Sequence, residues 1–251
     1  MNNRSLLWAV FLFLFAVVPG EAKRMATLDI GKGPATVVSL TGSAEVMEAG
    51  SRTWGLLNLR DALEPGDQVR TGDGARMELL LADQSRLRFA GNSEFRVLRM
   101  ETGNPSTPRD IDVHVLLGRA WANVRKTVGN QEKFSISSDL AVAGVRGTVY
   151  RMDIEPDRSA LVRVYDGTVH VTGGTKAGEA EKPIGPPSPV SGPTPIPGPH
   201  KVTLEEWTII IRAMQQVRVG ADGIPEKPRD FTAGEDRDEW VEWNRARDRE
   251  I

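Results

Sequence analysis

Apolar and polar residues alternate with a period of two along most of residues 34–174, and the alternation recurs in roughly ten short runs. Such a period sends neighbouring side chains to opposite faces of a β-strand. Gly-Asp, Asp-Gly and Gly-Asn pairs separate the runs, and these residues tolerate the positive backbone angles of tight turns. The sequence therefore predicts an all-β main domain, built as a β-roll or solenoid or as a sandwich.

The turn signal is clearest between the runs at 162–165 and 168–171, which Asp166 and Gly167 separate. Two alternating runs joined by a two-residue turn are typical of a β-hairpin. We therefore predict that these two runs pair directly with each other.

The N-terminal 22 residues contain the three parts of a secretory signal. Arg4 is the only charge before an unbroken apolar stretch at 6–18, and Gly20 and Ala22 provide the small residues of a cleavage site. The stretch is shorter than the roughly 18–20 apolar residues of a membrane span. We expect residues 1–22 to be a signal peptide and the protein to be periplasmic or secreted. An uncleaved N-terminal anchor is the alternative, and it would be the only membrane contact.

Composition excludes several kinds of site. The 32 basic and 34 acidic side chains leave a net charge of −2, which gives no overall field to attract nucleic acid. Without cysteine the chain has no disulfide and no thiolate metal site, and its three histidines lie in unrelated segments. No G-x-S-x-G motif is present. We predict a protein that is not an enzyme and that uses no cofactor or metal.

A set of residues spread along the alternating region resembles a FecR-type domain over roughly residues 37–172. The residues that carry the resemblance are Trp54, Gly66, Asp67, the alternating run 75–89, Trp121 and the run 143–148. The resemblance implies a β-structured periplasmic module, which in the best-known members passes a signal from an outer-membrane receptor to a cytoplasmic sigma factor. Those members carry a cytoplasmic anti-sigma segment before their membrane helix, whereas five residues precede the apolar stretch here. We therefore expect the exported, stand-alone form of the family.

The residues of the first half have structural and functional interpretations. Gly66 and Asp67 are expected to form a turn whose carboxylate accepts turn amides, with calcium binding as the weaker alternative. Trp54 and Trp121 are expected in the core, and stacking on a sugar is the alternative for both.

The run Gly144-Val145-Arg146-Gly147-Thr148 lacks the full pattern of a phosphate-binding loop. Its glycines permit close backbone packing at the entry to a strand. Arg146 is then expected to be a buried fork of hydrogen-bond donors that ties neighbouring turns together. Contact with a ligand or partner is the alternative.

The C-terminal part changes character twice. Residues 175–200 are rich in proline and glycine and predict a semi-stiff linker, and residues 201–251 predict a helical, charged tail. An amphipathic helix is predicted to begin at Thr203 and to end at Gly220. Its apolar face would contain Leu204, Trp207, Ile210, Ile211, Met214 and Val217. Because one such helix is marginal alone in water, we expect it to dock on the β domain, with a protein partner or a membrane surface as alternatives.

Residues 235–250 mix both charges with Trp240 and Trp243, and a short terminal helix is one interpretation of this stretch. Tryptophans in an otherwise solvated stretch indicate a contact, either with the main domain or with another protein. Trp207, Trp240 and Trp243 are therefore the candidate partner-binding residues of the tail.

These expectations combine into a functional hypothesis. The chain is expected to be a non-catalytic protein-interaction or scaffolding module of the bacterial cell envelope, with one or more envelope proteins as partners. One alternative is a component of cell-surface signalling that acts in trans with a sigma factor and anti-sigma partner. Another is a protein that binds peptidoglycan or polysaccharide, and a hydrolase is the least favoured.

Overall fold

The computed structural model describes residues 35–101, 108–126, 133–173 and 207–250, which contain seventeen strands and one helix. In chain order these are β1 (Ala35–Thr41), β2 (Ala44–Met47), β3 (Gly55–Leu56), β4 (Ala62–Leu63), β5 (Gln68–Thr71), β6 (Arg76–Leu80), β7 (Arg86–Ala90), β8 (Glu94–Glu101), β9 (Asp110–Asn123), β10 (Lys133–Ser137), β11 (Ala141–Val145), β12 (Val149–Ile154), β13 (Ala160–Asp166), β14 (Thr168–Gly173), β15 (Thr208–Arg212), β16 (Gln215–Val219), β17 (Arg229–Asp230) and α1 (Glu239–Asp248). The prediction of an all-β domain with a C-terminal helix is confirmed. In the described part of the chain, α1 is too short and too polar to span a membrane.

The strands form two sheets that share β9. Sheet A has the order β4-β1-β6-β7-β9-β12-β13-β16-β17. Sheet B has the order β3-β2-β5-β8-β9-β10-β11-β14-β15. Neighbouring strands are antiparallel, except that β9 and β10 are parallel.

The long strand β9 passes from sheet B to sheet A at Gly118. Residues 110–117 pair in sheet B, and residues 118–123 pair in sheet A. Gly118 has a φ of 95°, and a Cβ there would lie 2.6 Å from the Cα of Ser93. Only glycine fits this bend, because both the backbone angle and the close approach exclude a side chain.

The core lies between the two sheets. The rings of Phe89 from sheet A and Phe95 from sheet B stack with their centroids 3.7 Å apart. Around them the inward-facing residues of successive strands are Val, Ile, Leu, Met and Ala, as the alternation predicts. Burying one large apolar side chain in this layer contributes about 1.5–3 kcal/mol.

The predicted hairpin at Gly167 is wrong. β13 pairs with β12 and β16 in sheet A, whereas β14 pairs with β11 and β15 in sheet B. Gly167, with a φ of 85°, therefore occupies a corner at which the chain crosses from one sheet to the other. A tight corner and a hairpin turn need the same residue type, so composition does not separate them.

The predicted helix from Thr203 to Gly220 is also wrong. Thr203 and Leu204 lie outside the described residues, and the following residues form β15 and β16, which extend sheet B and sheet A by one strand each. Ile211 is fully buried, whereas its neighbour Ile210 is 48% exposed. This alternation belongs to a strand, and the β-branched residues of the run favour that conformation.

The C-terminal residues continue the β domain. Thr172 of β14 pairs with Thr208 of β15, so the chain between these strands leaves and re-enters sheet B at the same end. The predicted linker (175–200) and signal peptide (1–22) lie outside the described residues. Trp207, at the start of β15, is half-buried against the main core.

Candidate functional site

A row of charged and aromatic side chains crosses the outer face of sheet A. Cross-strand pairs place Glu78, Arg88, Trp121, Arg151 and Arg163 side by side on β6, β7, β9, β12 and β13. The period of two directs them away from the core, because their neighbours along each strand are buried between the sheets. We call these five residues the arginine row.

Residues 231–250, which we call the C-terminal segment, cover the arginine row. As a result, Arg88 is 0% and Arg151 is 2% exposed although both lie on the outer face of the sheet. A buried guanidinium needs carboxylate partners, since leaving a buried charge unpaired is strongly destabilising. The segment provides Asp236 for Arg151 and Asp248 for Arg88, and its Asp238 pairs with the partly exposed Arg119 of β9.

Asp236 joins the segment to β12 and β13. Its Oδ1 forms an ion pair with Arg151 Nη2 at 2.9 Å and accepts a hydrogen bond from Arg163 Nη1 at 2.8 Å. Its Oδ2 accepts the Tyr165 hydroxyl at 2.6 Å. Burial is the main cause that raises the pKa of Tyr165, and the hydrogen bond to Asp236 adds to it, so the phenol remains a donor at neutral pH. This buried carboxylate is thus held by three donors from two strands.

Asp238 has two roles at the start of α1. Its Oδ1 accepts the Val241 N–H at 2.8 Å and caps the helix, while its Oδ2 accepts Arg119 Nη2 of β9 at 2.7 Å. Partial burial raises the pKa of Asp238, but the Val241 N–H and the Arg119 guanidinium outweigh this effect and leave it below 3.8. The helix therefore begins where its cap is tied to the sheet.

Asp248 joins the other end of α1 to β7 and β9. Its Oδ1 accepts Arg88 Nη1 at 2.6 Å and Asn123 Nδ2 at 3.0 Å, and its Oδ2 accepts Trp121 Nε1 at 2.9 Å. The three donors come from adjacent strands of sheet A. Asp248 is thus a second point at which one carboxylate of the segment binds several side chains of the sheet.

Glu78 is the carboxylate that the sheet itself contributes. It pairs with Arg86, with Arg88 at 3.1 Å and with Arg247 of α1 at 3.0 Å. Its full burial raises the pKa, but the arginines outweigh that effect and hold the pKa of Glu78 below 4.5. Glu78 is therefore ionised at neutral pH and links sheet A to the helix.

Aromatic rings fill the space between these charged groups. Trp121 stacks on Tyr165 with centroids 4.3 Å apart, and Phe231 meets Tyr165 edge-on at 5.7 Å. Trp240 stacks on Trp243 at 5.2 Å, and together with Val241 they form a small apolar cluster with Trp121. The candidate tail residues Trp240 and Trp243 therefore contact the main domain.

The chemistry of this surface is recognition of carboxylates and aromatic rings. Guanidinium groups pair with carboxylates by charged hydrogen bonds, and tryptophan provides a flat apolar surface beside them. Within the described residues, no three His, Asp or Glu side chains converge in the way that a metal ion requires.

The other predicted residues in the first half of the domain lie away from the arginine row. Asp67 accepts the backbone N–H groups of Ala49 and Glu64, each at 2.9 Å, which is the turn role expected of Gly66-Asp67. Trp54, which the sequence places in the core, is only half-buried. The Arg70 guanidinium lies 4.2 Å from the centroid of its ring. Trp121 is buried as expected, but beneath α1 on the outer face.

The run from Gly144 to Thr148 forms the corner between β11 and β12. Gly147 has a φ of 63°, and Thr148 Oγ1 donates to Thr168 O of the next corner at 3.1 Å. The prediction that Arg146 is a buried fork is wrong, because Arg146 is exposed. The corner leaves its side chain exposed, and Thr148 links the two neighbouring corners.

The buried arginines and their carboxylates are not predicted as site residues by any motif in the sequence. Arg88 and Arg151 occupy polar positions of alternating strands, which normally face solvent. Only the mixed-charge stretch with two tryptophans indicated that something covers the domain. The missing signal is the register that brings Glu78, Arg88, Trp121, Arg151 and Arg163 into one row.

Comparison with known proteins relates these strands to a family. Residues 67–170 match the sequence model of a family described as FecR protein. The whole arginine row lies inside this range, and the C-terminal segment lies outside it. No curated protein matches the chain.

Two crystal structures of a proposed anti-sigma factor from Parabacteroides distasonis ATCC 8503, at 2.50 and 1.65 Å resolution, are similar to this chain. The TM-scores are 0.46 and 0.45, and the sequence identities are 14% and 16%. Each match covers 66% of this chain and 60% of the other, so this chain spans less than two thirds of the length of those proteins.

Proposed function

We propose that this chain acts as an exported, non-catalytic protein-interaction module of the bacterial cell envelope. The observation that carries the proposal is the match of residues 67–170 to the FecR family model, a range that contains most of the strands of the β domain. Proteins of the FecR family are regulatory, which supports a role in cell-surface signalling. The proposal assigns the function to contact between proteins.

The fold is suited to contact because it is a rigid platform. Two sheets packed on one core hold outward-facing side chains at fixed spacing. A surface of this kind recognises a partner through preplaced charges and rings and loses little conformational entropy on binding. The arginine row concentrates such groups on the outer face of sheet A, where the C-terminal segment covers them.

Cell fractionation and cross-linking test this function. We expect the full-length chain in the periplasmic fraction, cross-linked to a specific envelope protein, and a variant without residues 2–22 to stay in the cytoplasm. Retention of the full-length chain in the cytoplasm, or the absence of any cross-linked partner, would contradict the proposal.

The FecR match also favours a second candidate, in which the chain acts in trans in a sigma-factor signalling pathway. Deleting the gene should then change the transcription of genes that depend on that sigma factor. Unchanged transcription under inducing conditions would exclude this role and leave the general interaction function in place.

Glycan binding has less support among the described tryptophans. Trp121 and Trp240 are buried, and the ring of Trp54 lies under the Arg70 guanidinium. Stacking on a sugar requires an open ring face. We therefore propose a protein and not a polysaccharide as the partner.

A further inference from the structure

We propose that the arginine row is a peptide-binding surface that the chain's own C-terminal segment occupies, and that an acidic, tryptophan-containing segment of a partner protein competes for it. This inference rests on the proposed interaction function, because it names the surface and the chemical class of the partner. Four features of the described residues support it.

The first feature is that the β domain does not use the segment to build its core. The main hydrophobic core contains residues from both sheets and none from 231–250. The segment contributes instead to a separate small cluster on the outer face of sheet A. The segment is therefore a ligand added to a complete β domain, and another segment of the same chemistry can replace it.

The second feature is complementary charge. Residues 231–250 contain seven acidic and four basic side chains, whereas on the facing strands arginines outnumber carboxylates. The arginines of this face are Arg76, Arg86, Arg88, Arg119, Arg151 and Arg163, and its carboxylates are Glu78 and Asp153. A partner that enters this site must present carboxylates at similar positions.

The third feature is the position of Asp248. An aspartate in the last turn of a helix is unfavourable for the helix, because the C-terminal end of the helix dipole is negative. Asp248 is nevertheless there, and it accepts hydrogen bonds from Arg88, Asn123 and Trp121. Its position serves docking on the sheet and not the stability of α1.

The fourth feature is unused hydrogen-bonding capacity. Nη2 of Arg88 and Nη1 of Arg151 are buried and have no acceptor among the described residues. The C-terminal segment therefore does not saturate the donors of the row. A competing peptide can gain affinity by providing acceptors at these two positions.

A peptide-exchange experiment on the full-length chain tests the inference. The probe is a fluorescent peptide with the sequence of residues 231–250. The chain is compared with its variant Asp236→Asn, Asp248→Asn, in which the intramolecular segment has lost the two carboxylates that pair with Arg88, Arg151 and Arg163. We expect saturable binding to the variant that is at least about tenfold tighter than binding to the unmodified chain, whose own segment competes.

Two further probes separate specific recognition from general charge attraction. A probe with Asp236→Asn and Asp248→Asn should lose at least about tenfold in affinity for the variant chain. A control probe with Glu242→Gln and Glu250→Gln loses the same charge from exposed positions and should bind as the original does. Equal binding of all three probes, or no saturable binding to a folded variant, would overturn the proposal.

Hydrogen exchange on the unmodified chain tests the same idea if the variant does not fold. Amides of α1 should exchange through a local opening, at least about tenfold faster than those of β9 and β12, and salt should accelerate only the former. Exchange of α1 only together with the whole domain would overturn the proposal. These results do not depend on whether cross-linking finds a partner, so failure here is distinct from failure of the proposed function.

Discussion

Replacing Asp236 by Asn should destabilise the protein by about 3 kcal/mol, because it removes a buried charge that two arginines share. In the structure Asp236 Oδ1 lies 2.9 Å from Arg151 Nη2 and accepts Arg163 Nη1 at 2.8 Å, and its Oδ2 accepts the Tyr165 hydroxyl at 2.6 Å. Asn can keep an oxygen at the Oδ1 position, but that oxygen is uncharged, and the NH2 group at the Oδ2 position cannot accept the Tyr165 hydroxyl.

The size of the effect follows from the burial of each donor. Breaking a fully buried pair costs about 3–5 kcal/mol. Two features reduce this value here: Arg151 keeps Asp153, 3.0 Å from its Nε, and Arg163 is 17% exposed and so partly solvated. Loss of about 3 kcal/mol corresponds to a fall in Tm of roughly 6–12 °C for a domain of this size.

Urea unfolding followed by circular dichroism measures this change in the free energy of unfolding. The matched control is Asp230→Asn, since Asp230 is exposed and accepts a hydrogen bond from the side chain of Gln215 at 3.1 Å. The control should differ from the unmodified chain by less than about 0.5 kcal/mol. If Asp236→Asn also falls within that limit, the buried pairing does not hold the segment on the sheet.

Three further predictions test other parts of the structure. The pKa of Glu78 is lowered in the fold, so its ionised form stabilises the folded state at pH values above the unfolded-state pKa. This stabilisation is lost as pH falls through the folded-state pKa. Glu78→Gln should therefore flatten the pH dependence of the free energy of urea unfolding below pH 4.5. Gly167→Ala should cost at least about 2 kcal/mol, because its Cβ would lie 2.9 Å from a backbone oxygen, whereas Gly50→Ala, also at positive φ but with open space around it, should cost about 1 kcal/mol. Ile211→Ala should cost about 3 kcal/mol and Ile210→Ala less than about 1 kcal/mol; equal values would contradict the strand assignment.

Local chemistry predicts much of the β domain and little of its connectivity. Alternation identifies the inward side chains because a strand has only two faces, and Phe89 and Phe95 lie in the core accordingly. The sheet to which a strand belongs depends on pairing with distant strands. At Gly167 the same residue type suits a hairpin and a corner, so the pattern there does not determine which sheet β14 joins.

The segment from Trp207 to Val219 shows how two periods can coincide. Trp207, Ile211 and Val217 are spaced as on one face of a helix, but two strands meeting at a corner also direct residues with this spacing inward. The three consecutive isoleucines favour a strand, and β14 offers an unpaired edge for it. Tertiary pairing decides the conformation because a lone helix of this length is marginal in water.

Arg146 and Arg151 lie five positions apart, and their environments are opposite to those that the sequence predicts. Arg146 belongs to a recognisable motif and is exposed, whereas Arg151 occupies an ordinary outward position of β12 and is buried. An arginine can be buried only where a carboxylate pairs with it. For Arg151 that carboxylate is Asp236 of the C-terminal segment, which also pairs with Arg163 at a separation of 73 residues. Outward-facing arginines on neighbouring strands therefore indicate a candidate docking face when the same chain also contains a distant acidic segment with aromatic residues and no hydrophobic core of its own.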